Sequence, residues 1–281
     1  MNLYNHKLQQ SFELKSVIKV ISGIDNTNVS EVIKIAKAVS LSKATYIDIA
    51  ANPHLVKKVK SCSNLPVCIS SVNIIDIYNC VLAGADLVEL GNYDFFYAKG
   101  NYVNAKQILT LVKILKRLVG RIDLCVTVPY YLSLIDQVIL AKDLELLGVN
   151  IIQSEGVCLS KKFVKNYQKT LGPNLDQSNI AFVSSLLSTY FISHFVDIPI
   201  ISASGCRSIT SKISTQYGAS GIGIGSAIRK QKNIIDMVKY INQTYDSLSL
   251  YSENKSSNFS RVLQFVPYDE MKKLTLNKLQ S

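Results

Sequence analysis

Apolar and polar positions along the chain follow two alternating periods. Eight short runs rich in β-branched residues, at 17–21, 45–49, 67–70, 86–90, 124–128, 150–154, 200–202 and 221–224, read as strands. Between them, stretches such as 29–39, 105–119 and 134–147 place apolar residues at i, i+3, i+4 and i+7, the mark of amphipathic helices. Glycine stands where helix gives way to strand, at Gly84, Gly148 and Gly218. A left-handed C-cap there would turn the chain into the next parallel strand. Eight such units predict an α/β fold, a (β/α)8 TIM barrel over residues 15–249. An open doubly wound sheet is the alternative, and it usually has fewer strands. Residues 1–14 read as a lead-in and 250–281 as a C-terminal tail. The tail opens Ser/Asn-rich and then carries Val262, Leu263, Phe265 and Val266, able to dock on the barrel or on a neighbouring copy in a homo-oligomer.

An internal repeat favours the closed barrel. Residues 64–71 resemble 197–204, and 84–91 resemble 218–225, at offsets of 133 and 134. Strands three and four would then correspond to strands seven and eight, the pattern of a half-barrel duplication. The plainer explanation is that every βαβ unit needs similar entry and cap residues.

Strand parity places the candidate chemistry. Side chains facing the outer helices should be apolar, so a charge inside an apolar run should face the barrel axis. Lys19, Asp48 and Glu89 meet that criterion. The same parity near the strand ends adds Ser70, Thr127, Gln153, Glu155, Ser202 and Ser204. A lysine desolvated in such a ring could serve as a base or Schiff-base amine, while carboxylates would hold it charged. A buried ion pair that fixes barrel register is the purely structural reading.

The last two loops point to phosphate. Ser204 and Gly205 follow strand seven, while Gly223, Gly225 and Ser226 close strand eight and open a helix. Loops after strands seven and eight are the usual phosphate cradle of this fold, and glycines let the backbone approach an oxyanion. Arg229 or Lys230, one turn on, could add charge. Tight turns without a ligand would look similar. Two long loops should rise from the same face: 92–104, with Tyr93, Phe95, Phe96, Tyr97 and Tyr102, and 156–179, with Lys161, Lys162, Lys165 and Lys169. The aromatics could stack on a ring or pack the loop down, and the lysines read as a solvated face.

Composition narrows the function classes. The 281 residues are 48% hydrophobic, which excludes a disordered chain or a disulfide mini-scaffold. The net charge of +11 invites a polyanion partner, yet only 5 of the 31 basic residues are arginine. Scarce Arg and the absence of a basic stripe argue against nucleic acid, and the lysine excess reads as the bias of an AT-rich coding sequence. The six cysteines are scattered and the three histidines lack metal spacing, so reduced cysteines and no metal site are expected. No signal or transit peptide and no membrane-length apolar run is visible.

The strand ends also carry a resemblance. Residues 19–23, 44–51, 87–92, 126–129, 151–156 and 203–205 resemble the hypothetical chloroplast reading frame twenty-three family of algal plastids and cyanobacteria, over roughly residues 15–247. The resemblance implies a ribulose-phosphate-binding type of barrel and a plastid (chloroplast stroma) location, without an established reaction. The expected ligand is a small phosphorylated or otherwise anionic metabolite. The expected chemistry is that of a lyase or isomerase using Lys19, Asp48, Glu89 and Glu155, with phosphate on Ser204, Gly205, Gly223, Gly225 and Ser226. An FMN-dependent oxidoreductase and a non-catalytic regulatory or assembly barrel are the alternatives.

Overall fold

The computed structural model describes residues 3–91, 102–159 and 177–249. Eight parallel strands close into a barrel in chain order: β1 (Val17–Ile21), β2 (Tyr46–Ala50), β3 (Val67–Ser71), β4 (Leu87–Leu90), β5 (Asp123–Val128), β6 (Ile151–Ser154), β7 (Ile200–Ser202) and β8 (Gly221–Ile224). The ring closes through β1 and β8, with Lys19 opposite Gly223. Gly221 is obligatory at that seam. A Cβ there would lie 2.4 Å from the Val17 Cβ and 2.5 Å from its carbonyl oxygen.

The described helices are α1 (His6–Glu13), α2 (Val29–Ser40), α3 (Pro53–Lys60), α4 (Ile74–Leu82), α5 (Ala105–Val119), α6 (Leu134–Leu146), α7 (Gln177–Ser193), α8 (Ser208–Gln216), α9 (Ser226–Arg229) and α10 (Ile234–Ser249). Asparagine begins five of them. The side chains of Asn5, Asn28, Asn52, Asn73 and Asn104 each accept from first-turn amides that have no helical partner.

The exits use the glycines singled out in the sequence. Gly84, Gly148 and Gly218 have φ of +102°, +73° and +105°. At Gly148 the glycine amide donates to Glu145 O and the next amide, of Val149, donates to Leu144 O, which is a Schellman closure. Gly84 isolates the backbone cost, because a Cβ there would meet nothing within 4 Å. Gly84→Ala should therefore destabilise the protein by about 1 kcal/mol through its positive φ alone. Urea unfolding would read this as a lower midpoint at unchanged slope.

Two cores result. The larger one lies between sheet and helices. The smaller one fills the lower barrel with Val17, Tyr46, Cys68, Leu87, Cys125, Ile151 and Ile201, and is continued by Leu3, Leu8 and Phe12. The N-terminal segment is therefore more than a lead-in: α1 plugs the lower end of the barrel. It is fastened by Asp123, whose two carboxylate oxygens accept from the amides of Tyr4 and Asn5 at 2.8 and 2.9 Å.

The repeated segments occupy corresponding places, β3 with β7 and β4 with β8. Their hydrogen bonds match as well. Asp86 N donates to Val67 O at 2.8 Å and Ser220 N to Ile200 O at 2.7 Å. The tail at 250–281, the lysine cluster of the 156–179 loop and the aromatics of 92–104 other than Tyr102 lie outside the described residues.

Candidate functional site

A charged cluster spans the barrel above the lower core. Lys19 Nζ contacts Glu89 Oε2, Asp48 Oδ2 at 2.9 Å and Gln153 Oε1 at 2.7 Å. Ser70 donates to Asp48 Oδ1 at 2.7 Å and Thr127 to Glu89 Oε1 at 3.0 Å. Gln153 Nε2 reaches Glu89 Oε1 at 3.0 Å, Thr127 Oγ1 at 3.2 Å and Glu155 Oε1 at 3.4 Å. Six strands, β1 to β6, thus contribute one inward polar side chain each, and all six are fully or almost fully buried.

Ser202 departs from the parity reading. On β7 the inward positions are Ile201, which joins the inner core, and Ala203, which faces Gly223. Ser202 points outward and shares a 3.0 Å hydrogen bond with Ser185 of α7. The rule that the outer face must be apolar fails here because a buried serine supplies the partner.

Burial alone would lower the Lys19 amine, but the Asp48 and Glu89 carboxylates outweigh it and hold the amine well above its ordinary range. Such a lysine stays charged, the opposite of what a Schiff-base amine needs. Burial pushes the Asp48 carboxyl up, Lys19 pulls it back and Glu89 adds to the rise, leaving it at about 6 against an ordinary 3.8. The folded state therefore binds this proton more tightly than the unfolded chain does. Stability from this group is full below about pH 4 and is lost as pH rises through about 6. Asp48→Asn should remove that slope. If the difference in unfolding free energy between wild type and Asp48→Asn stays flat from pH 4 to 7, the ionisation is not perturbed in this way.

Beside the cluster, at the C-terminal ends of β1, β6, β7 and β8, lies a cavity of about 1190 Å³. Its rim includes Ser204, Gly205, Gly223, Gly225, Ser226 and Arg229. Ser204 is a non-glycine residue at positive φ, +73°, followed by Gly205 at +66°. Both lie in the left-handed region, which bends the loop sharply after β7. The Arg229 guanidinium lies over the end of β8, where a Cβ on Gly225 would come within 3.2 Å of Nη1. Nη1 donates to Ile21 O at 3.3 Å, the one hydrogen bond of this side chain among the described residues.

A family model described as "Protein of unknown function (DUF561)" matches residues 3–254. The chain belongs to that family. It is 46% identical over 250 residues to "Uncharacterized protein ycf23" of Antithamnion sp., spanning 89% of this chain and 90% of the relative. The name ycf23 is a plastid-genome one. Among solved structures the DUF561 barrel is similar to 3-hexulose-6-phosphate synthase from Salmonella typhimurium, with a TM-score of 0.56 and 14% identity over 83% of this chain and 98% of that one. It is also similar to (S)-3-O-geranylgeranylglyceryl phosphate synthase from Thermoplasma acidophilum in complex with sn-glycerol-1-phosphate, with a TM-score of 0.54 and 12% identity over 89% and 100% of the chains. These likenesses establish the TIM-barrel fold.

In the DUF561 chain all five candidate phosphate residues border the cavity, and Glu155 alone of the four candidate catalytic residues does so. Lys19, Asp48 and Glu89 sit closed beneath it, at most 2% exposed. Sequence reasoning missed Asp25, Tyr130, Arg207 and Tyr240, which also line the cavity. A signal for Arg207 was present: two of the four described arginines, Arg207 and Arg229, face this one space in a chain where arginine is scarce. The cysteines are free thiols, and burial pushes Cys206, at the cavity wall, up to about 11. No described helix is long and apolar enough to cross a membrane, and the described residues hold no group of three or more His, Cys, Asp or Glu suited to a metal.

Proposed function

We propose that the barrel binds a small phosphorylated metabolite in the cavity at the ends of β1, β6, β7 and β8. The observation that carries this reading is the convergence of Ser204, Gly205, Gly223, Gly225, Ser226 and Arg229 on one open space. Glycines let main-chain amides come close to an oxyanion, and a guanidinium matches two phosphate oxygens at once. Both solved neighbours have names of phosphate-ester chemistry, in keeping with this ligand class. The reaction class is a lyase or isomerase step. Glu155 is the acid–base group because it reaches the cavity, and Lys19 with Asp48 and Glu89 fixes its surroundings through Gln153. The plastid stroma is the proposed location, in line with the relatives' name.

A second reading is a sensor or assembly barrel that binds the same ligand without turning it over. The closure of Lys19, Asp48 and Glu89 beneath the cavity favours it. An FMN oxidoreductase would use the same cradle for the cofactor phosphate, and visible flavin absorbance of the purified protein tests that.

Native mass spectrometry of the purified protein, with a thermal-shift screen of sugar and triose phosphates, tests the binding. A ligand at 100 times its dissociation constant should stabilise the fold by about 2.7 kcal/mol. Absence of any shift across the panel, with no co-purifying anion, would overturn the proposal. Turnover of a ligand that does bind, lost in Glu155→Gln, separates the enzyme from the sensor.

A further inference from the structure

Helices α4, α5 and α6 pack side by side along one flank of the barrel. Their inner faces are satisfied by the main core, through Ile77 and Cys80, through Ile108, Val112 and Leu115, and through Val138 and Leu144. Their outer faces nevertheless each carry a pair of large aliphatics among the charges. Ile75 and Leu82 on α4, Ile114 and Leu118 on α5, and Ile139 and Leu146 on α6 are 42–84% exposed. Spacings of seven, four and seven set each pair along one line of its helix. Isolated exposed leucines are ordinary, but six large aliphatics on three adjoining helices form a stripe that the other described residues leave to water.

The charges around the stripe indicate what covers it. Helix α5 carries Lys106, Lys113, Lys116 and Arg117 and no acid. Its neighbour α6 carries Asp136, Asp143 and Glu145 with Lys142, and α4 carries Asp76. A basic strip thus lies beside an acidic one. Rotating a copy by 180° about an axis between α5 and α6 sets basic over acidic twice, the self-complementarity that an isologous contact requires. Five cations against four acids also bring this flank close to neutral in a chain of net charge +11, so like-charge repulsion between two copies is small there. An anionic membrane or polyanion would be repelled by Asp76, Asp136 and Asp143.

We propose that a second copy of this chain docks on the α4–α5–α6 flank, forming a two-fold dimer with Ile114 and Leu118 of α5 and Ile139 and Leu146 of α6 at its centre. The dimer leaves the cavity at the strand ends free, so the proposal stands apart from the one about the ligand.

Sedimentation velocity of the full chain tests it. Wild type should sediment as a dimer at about 10 µM, the concentration at which a micromolar contact is mostly formed. Ile114→Glu with Leu118→Glu should give a monomer with unchanged circular dichroism, a rise of about 100-fold or more in dissociation constant. Arg117→Glu should weaken the dimer, and adding Asp143→Lys should restore it. Ile235→Glu, on the exposed face of α10, should leave it intact. A monomeric wild type overturns the proposal, and so does a dimer that survives the Ile114/Leu118 double variant.

Discussion

Lys19→Met is expected to be among the most damaging single substitutions in the protein, costing about 3–5 kcal/mol of stability because it leaves buried carboxylates unpaired. Lys19 is fully buried and is the shared cation of Asp48 and Glu89, themselves 2% and 1% exposed. Methionine fills much the same volume, so the loss is electrostatic and not a cavity effect. That distinction gives two checks. The penalty should be smaller at pH 5 than at pH 8, because Asp48 already sits at about 6 with Lys19 pulling it down and, without that cation, takes up its proton at higher pH still, so that one unpaired charge disappears. Replacing all three charges together, Lys19→Met with Asp48→Asn and Glu89→Gln, should recover most of the loss, since a neutral barrel interior needs no counter-ion. Urea unfolding of the single and triple variants at pH 5 and pH 8 decides the matter. A Lys19→Met protein as stable as wild type would mean that water or a rearrangement already satisfies the carboxylates.

The same residues show how far a sequence can be read. The strands were legible because a parallel strand covered on both faces must be an apolar run, and each of the eight begins and ends within one residue of its expected bounds. A charge in such a run has one direction to point, which located Lys19, Asp48 and Glu89, and the same parity located Gln153. Ser202 escaped the argument because serine is small, neutral and content with the Ser185 hydroxyl on the outer face. The closure of the cluster was not legible either. Parity gives direction but not depth, and depth separates Glu155 at the cavity from Lys19 beneath it. The α1 plug was missed for another reason. Leu8 and Phe12 are one helical turn apart after the cap Asn5, but an eight-residue helix before the first strand has no place in the repeating unit. Its docking depends on Asp123, more than a hundred residues away.

Arg229→Ala should weaken binding of any phosphorylated ligand by about 10- to 100-fold, the loss of a charge-assisted pair worth about 1.5–3 kcal/mol. The side chain's one intramolecular hydrogen bond among the described residues is to Ile21 O, so its removal should scarcely alter the fold, and unfolding midpoints should stay close to wild type. Arg229→Lys would keep the charge but lose the fork, and should recover only part of the affinity. Gly225→Val attacks the same contact from the other side, since even a Cβ there would press on Nη1 at 3.2 Å and on Ile21 Cβ at 3.4 Å. Titration calorimetry with the phosphorylated hits of the thermal-shift screen, beside their dephosphorylated counterparts, measures these effects. The dephosphorylated compounds should bind wild type weakly and should be insensitive to Arg229→Ala. Equal losses for both forms would place Arg229 at some other part of the ligand and would remove the phosphate from the β8 end of the cavity.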